Sequence, residues 1–277
     1  MIRKIVGAIV LCLFFLNPVG MFVQAAQEQV SRLQLIQDRQ QLQVCVWPEY
    51  YSISYRDPRT QKLSGLDIDL AQMLAQELGV QPRFVDSSFA SLIPDLLKER
   101  CDVAMFAVGI TPDRQQQIAF TQPHLVSDVV AITTKSNRRI RQWADLDQPG
   151  NVLAVAKGTW HEPVMKQRLQ HATLVAPDFP ETRETEVLSG RADAFVSDFP
   201  YSLRMLETTD WAQRIEPDST FHLIYYAWAV KPNDPVWLER LDEFMRSIKE
   251  DGRLLEVATK FRLDSAVVLD TEPHNEQ

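Results

Sequence analysis

The sequence predicts an α/β protein built as two lobes. Short apolar runs alternate with amphipathic segments from Leu42 onward, which is the signature of a sheet covered by helices. The same alternation restarts after Val129. The chain has 277 residues, and about 250 remain after an N-terminal leader, room for two cores of ordinary domain size.

The leader opens on Met1-Ile2-Arg3-Lys4, continues in an apolar run from Ile5 to Leu16, and ends in Val23-Gln24-Ala25. A basic start, an apolar centre and small residues at the cut site mark a signal peptide over residues 1–25, so the mature protein is expected in the periplasm. The apolar run is too short to span a bilayer comfortably, and Cys12 follows Leu11 rather than a small residue, which argues against a lipoprotein cut. The alternative is a retained anchor helix. Removing Arg3 and Lys4 takes the formal charge from −8 to about −10. A chain this acidic has no broad basic surface for nucleic acid.

Residues 26–41 form an N-terminal extension, with a weakly amphipathic stretch over Val30 to Gln41 that covers an edge of the first lobe. Leu42 to Val46 reads as a strand and Trp47-Pro48-Glu49-Tyr50-Tyr51 as an aromatic loop. After a polar turn at Arg56 to Ser64, Gly65 leads into a helix whose apolar positions Ile68, Ala71, Leu74, Ala75 and Leu78 have helical spacing, with Gly79 as its stop. A strand at Pro82 to Val85, a helix at Ser91 to Glu99 and a strand at Val103 to Phe106 complete a parallel pattern. Ligands of open sheets sit beyond the carboxyl ends of the strands. The loops reaching that edge are Trp47 to Tyr50, Ser87 to Phe89 and Ala107 to Arg114. In the last, small residues stand beside one arginine, whose planar fork matches a carboxylate. Taken alone, Arg114 is either such an anion clamp or a solvated residue in the first turn of a surface helix.

The second region runs through a strand at Val129 to Thr133, a short helix at Ile140 to Leu146 and a strand at Asn151 to Ala156. Lys157-Gly158-Thr159-Trp160-His161 then opens a helix, followed by a strand at Leu174-Val175, a helix at Glu181 to Leu188 closed by Gly190, and a strand from Ala192 to Val196 ending at Ser197-Asp198. Phe221 to Val230 is rich in β-formers, and Asp234-Pro235 starts a helix with the stripe Leu238, Leu241, Met245 and Ile248, ended by Gly252. The chain is expected to cross between lobes near Leu125 to Val130 and near Tyr225 to Val230. Lobe 1 is thus assigned to residues 42–126 and 228–265, lobe 2 with the hinge segments to 127–227, and a flexible tail to 266–277. Cys45 and Cys101 sit at the edges of neighbouring strands, as a disulfide or as two buried thiols. The scattered histidines offer no metal-ligand spacing, so no metal is expected.

With these pieces in order, the chain resembles the amino-acid-binding components of ABC importers, the bacterial extracellular solute-binding proteins of family 3. The matching segments are Gly65 to Ala71, Phe89 to Leu96, Cys101 to Ala104, Ile110-Thr111-Pro112-Asp113-Arg114, Phe120 to Pro123, Lys157-Gly158-Thr159, Gly190 to Ala194 with Asp198, and Gly252-Arg253-Leu254. The resemblance spans Leu42 to Leu263 and implies a type II periplasmic-binding-protein fold, two lobes on a two-segment hinge with the ligand cleft between them. It implies that Arg114 receives a ligand α-carboxylate with help from Thr159, that Asp198 receives the α-ammonium, and that Tyr50, Phe89 and Trp47 line the pocket. A monomer without cofactor that delivers a small carboxylate-bearing ligand to an ABC permease follows from the same resemblance. Ala107 and Gly109 depart from the pattern: many members carry a glycine and then a serine or threonine there, so one side-chain donor is missing. Cyclohexadienyl dehydratases share the fold and place an acidic proton donor after the matching Gly-Thr, where this chain has His161. Dehydratase-like catalysis is therefore the alternative function, with presentation of the closed protein to a membrane receptor as a third.

Overall fold

The computed structural model describes residues 30–178 and 181–270. The expected signal peptide lies outside the described residues, as does the tail from Thr271 onward. The chain enters through α1 (Arg32–Asp38), which buries only Ile36 and donates the Arg32 backbone N–H to the Asp234 carboxylate at 2.5 Å. The first region then forms β1 (Gln41–Val46), a small hairpin of β2 (Tyr55–Arg56) and β3 (Leu63–Ser64), α2 (Leu66–Glu77), β4 (Gln81–Asp86), α3 (Leu92–Leu97), β5 (Val103–Gly109), α4 (Pro112–Gln115), β6 (Ala119–Phe120) and β7 (Leu125–Ser127). The second holds β8 (Val129–Thr134), β9 (Val152–Ala154), α5 (His161–Arg168), β10 (Thr173–Val175), α6 (Arg183–Leu188), β11 (Ala194–Asp198), α7 (Phe199–Thr208) and β12 (Ala212–Ile215). The chain returns through β13 (Ile224–Val230), α8 (Pro235–Glu250) and α9 (Arg253–Lys260).

Two sheets result, one per lobe. The first has the order β4-β1-β5-β13-β6, with β7 also paired to β13; the second has the order β10-β9-β11-β8-β12. Both are mixed rather than parallel throughout. In the first, β4, β1 and β5 are parallel and β13 is antiparallel to β5. In the second, β10, β9 and β11 are parallel and β8 is antiparallel to β11. The antiparallel members β8 and β13 are the strands by which the chain enters a lobe from the other one. Sequence periodicity carries no sign for that direction.

The first crossing lies at Asp128, between β7 and β8, within the expected range. The second does not lie at Tyr225 to Val230: it occupies residues 216–223, and Ile224 to Val230 is a strand of the first sheet paired with β5, β6 and β7. That apolar run is buried at almost every position, as a central strand must be, whereas the polar Glu216 to Thr220 makes the link. Asp128 ties the two crossings together: its carboxylate accepts the backbone N–H groups of Phe221 at 2.8 Å and His222 at 2.7 Å.

Two further differences are local. The segment Ile140 to Leu146 makes only a 3₁₀ turn at Trp143–Asp145. Its end carbonyls are taken by the Asn151 side chain, which donates to Asp145 O at 2.8 Å and Leu146 O at 3.3 Å, so the helix does not extend. Helix α7 and strand β12 fill a stretch that the sequence left unassigned. Asp198 caps α7 and Pro200 lies in its first turn, a start signal obscured by Asp198 also closing β11. Cys45 and Cys101 form a disulfide with a Cα–Cα distance of 5.5 Å, beside the β1–β5 register pair Cys45 and Ala104.

Candidate functional site

The carboxyl ends of the parallel strands of both sheets meet in one cleft. From the first lobe, β1 runs into the loop carrying Trp47 and Tyr50, β4 into the loop carrying Phe89, and β5 into α4. Thr111 caps α4 and Pro112 starts it, and this one-turn helix buries the Arg114 side chain, which is 7% exposed. Arg114 donates to Gly109 O at 2.8 Å and, across the cleft, to Gly158 O at 3.0 Å. Its guanidinium lies 5.5 Å from the centre of the Phe89 ring. Burial pulls its pKa down to about 10, against the pull of the Tyr226 and Tyr50 phenols.

From the second lobe, β11 ends at Asp198. Its carboxylate caps α7 by accepting the Tyr201 N–H at 3.1 Å and also accepts two phenols of the first lobe, Tyr50 and Tyr226, the latter at 2.7 Å. Burial first, and the Asp198 charge next, push both phenols well above the ordinary tyrosine range, so they remain protonated donors. The lobes are therefore joined by the groups that the resemblance assigns to the ligand. Thr159 is buried near them and donates to Ala156 O at 2.7 Å, inside its own turn.

The departures from the family pattern acquire geometry. Ala107 has φ +47°, an unusual conformation for a residue with a Cβ, and it sits where the β5–β13 register shifts. Its N–H does not face the cavity lining but donates to Asp67 at 2.8 Å, and Asp67 also accepts the Trp228 indole N–H at 2.9 Å. A buried hydrogen-bonded carboxylate thus holds the bulge in place of a glycine. Gly109 is required for another reason: a Cβ there would lie 2.9 Å from Trp160 and from Ile224. Gly158, with φ +77°, approaches the Ala90 backbone so closely that a Cβ would sit 2.7 Å from it.

His161 is fully buried and stacked on Trp160, ring centres 4.0 Å apart. Neither ring nitrogen has a well-aligned hydrogen-bond partner. Burial, then the Arg183 and Arg114 charges, hold its pKa well below the usual range, so the imidazole is neutral.

An inner cavity of about 10 Å³ lies between Trp47, Tyr50, Phe89, Trp160, Arg183 and Asp198. That is about the space of one water, so a larger ligand enters only when the lobes part. Outside it, a groove of about 580 Å³ opens between Glu49, Phe89 and Trp47 of the first lobe and Lys157, Arg183 and Glu184 of the second. Sequence reasoning brought Arg114, Thr159, Asp198, Tyr50, Phe89, Trp47 and His161 to this cleft. It missed Tyr226, Trp160 and Arg183. Trp160 adjoins Lys157-Gly158-Thr159, whereas Tyr226 sits in an apolar run without a motif and Arg183 in Glu181-Thr182-Arg183-Glu184, which reads as a solvated helix start.

A family model described as bacterial extracellular solute-binding proteins, family 3, matches residues 42–264. Cyclohexadienyl dehydratase of Pseudomonas aeruginosa is 27% identical over 229 residues, covering 82% of this chain and 85% of that protein. ABC transporter arginine-binding protein 1 of Escherichia coli is 26% identical over 218 residues, covering 78% and 86%. Among solved structures, the ancestral amino acid-binding protein AncCDT-1, described as a precursor of cyclohexadienyl dehydratase, superposes with a TM-score of 0.76 at 29% identity, covering 83% of this chain and 99% of that one. A putative ABC-transporter binding component from Wolinella succinogenes complexed with lysine gives 0.72 at 28% identity, covering 80% and 95%.

Proposed function

The chain belongs to the bacterial extracellular solute-binding proteins of family 3, and from that membership we propose that it is a monomeric periplasmic carrier that closes on an α-amino acid and delivers it to an ABC permease. One observation carries the reading: among the described residues the Arg114 guanidinium bonds to backbone carbonyls and the Asp198 carboxylate to phenols and a backbone N–H, neither forms an ion pair, yet both are buried in one cleft. A zwitterion supplies both missing partners, whereas an unpaired buried charge is costly. Tyr50, Phe89 and Trp47 provide the aromatic walls around it. Lobe 1, residues 42–127 with the part of the chain returning from Ile224, and lobe 2, residues 129–215, act as the two closing bodies.

The dehydratase alternative has the Pseudomonas relative in its favour, but a neutral imidazole flanked by two arginines is a poor proton donor. Thermal-shift screening against the standard amino acids, with native mass spectrometry of the purified protein, tests the proposal. A ligand-dependent rise in Tm is expected; silence across the amino acids refutes it. Turnover of prephenate or arogenate that is lost in His161→Ala would establish the enzyme instead.

A further inference from the structure

Arg183 is the one cation lining the inner cavity among the described residues, and the zwitterion reading leaves it without a task. It belongs to the second lobe, at the start of α6, and is 3% exposed. Aromatic rings enclose the guanidinium: Tyr201 at 4.2 Å, Phe195 at 5.1 Å and, from the opposite lobe, Trp47 at 5.9 Å. Its Nε donates to Glu184 at 2.8 Å and one Nη donates to Val196 O at 3.0 Å. Among the described residues the other Nη makes no hydrogen bond, so an edge of N–H donors borders the cavity. The adjacent Glu184 carboxylate balances the guanidinium charge but leaves the other Nη uncovered. Glu184 already accepts the Arg183 Nε and the Tyr201 phenol at 2.6 Å, and neither it nor Glu49 lines the inner cavity.

An aromatic box with an acidic neighbour would suit a cationic side chain. Here a guanidinium of the protein itself fills the box. We propose that Arg183 is the side-chain selectivity residue of the cleft, accepting amino acids with an acidic side chain through its free N–H edge and excluding those with a cationic one. This rests on the amino-acid reading above and sharpens it, since the lysine- and arginine-binding relatives would then differ from this protein in ligand charge. The fork geometry favours a carboxylate, which can take two donors at once.

Isothermal titration of the mature protein with L-glutamate, L-leucine, L-lysine and L-arginine tests this. Glutamate should bind at least tenfold more tightly than leucine, with lysine and arginine at least tenfold weaker than leucine. Arg183→Met should narrow the ratio of glutamate to leucine affinity at least tenfold. Because removing a buried arginine can impair folding, Arg183→Lys, which keeps the charge and loses the fork, is the companion; a partial loss of glutamate preference is expected. Lysine or arginine binding as tightly as glutamate to the unmodified protein overturns the proposal, as does a glutamate preference unmoved in folded variants. Binding without regard to side-chain charge removes this inference alone, while no binding by any of the four removes the amino-acid reading with it.

Discussion

Arg114→Ala separates the fold from the site. In the ligand-free protein the substitution deletes hydrogen bonds to Gly109 O at 2.8 Å and Gly158 O at 3.0 Å. A hydrogen bond from a charged donor contributes about 1.5–3 kcal/mol. Burying the guanidinium opposes that gain, as its lowered pKa records, so the net loss of stability should stay below about 3 kcal/mol. Binding should suffer more. Truncating one partner of a buried charged pair costs about 2–5 kcal/mol, or roughly thirtyfold to several-thousandfold in Kd. Titration calorimetry with the tightest amino-acid ligand measures the second quantity and urea denaturation the first. Arg114→Lys should fall between, since a point charge keeps attraction and loses the fork. A folded Arg114→Ala protein that binds within about threefold of the unmodified one would show that the carboxylate is held elsewhere.

Tyr50→Phe removes one phenol from Asp198 across the cleft; the closed form should lose about 1.5–3 kcal/mol against the open one. Small-angle scattering of the ligand-free protein should show a larger radius of gyration, and an unchanged radius contradicts the latch. Serine at Cys45 and Cys101 opens a loop with a sequence separation of 56 and should cost about 2–4 kcal/mol in guanidinium denaturation; an unchanged midpoint would mean that the bond adds nothing. The His161 imidazole stays neutral in the folded protein, whereas the unfolded chain takes up the proton near pH 6.5. Stability should therefore fall as pH drops below about 6.5, by up to about 1.4 kcal/mol per unit from this group. Urea titrations at about pH 7 and pH 5 should show a shallower fall for His161→Gln; equal slopes would place the pH sensitivity in other groups.

Most of the architecture was legible because the burial pattern has a period. Strands β1, β5 and β11 and helices α2 and α8 follow from apolar runs and stripes with cap residues at their ends, and the loops at the strand ends pointed to the cleft. Strand direction was not legible, since an antiparallel β13 and a parallel β5 are equally apolar; the misplaced second crossing follows from that. Within the site, residues close to short motifs were found, Arg114 after Thr111-Pro112 and Asp198 at the end of β11. Arg183 was hidden because its neighbours are charged and its burial depends on three rings contributed by β11, α7 and the Trp47 loop. No local pattern encodes a contact among such separate segments.

On the proposed reading the same side chains would serve closure and recognition, and that would set the thermodynamics of the cleft. In the closed form Arg114 spans the lobes through Gly158 O, while Asp198 does so through Tyr50 and Tyr226. A zwitterion bound as proposed would replace a neutral carbonyl on Arg114 with a carboxylate and add an ammonium to a carboxylate already held by phenols. The exchange at Arg114 substitutes a charged partner for a neutral one, so there the ligand would gain only the difference between the two bonds. Part of its binding energy would thereby be cancelled by contacts the lobes already make with each other. In return, the receiving groups are held near their working positions before the ligand arrives, which lowers the ordering cost of closure. A ligand shifts the open–closed equilibrium only by its differential affinity for the closed state. Affinity in this protein should therefore respond to Tyr226, which touches Asp198 from the opposite lobe, as well as to residues that line the ligand pocket.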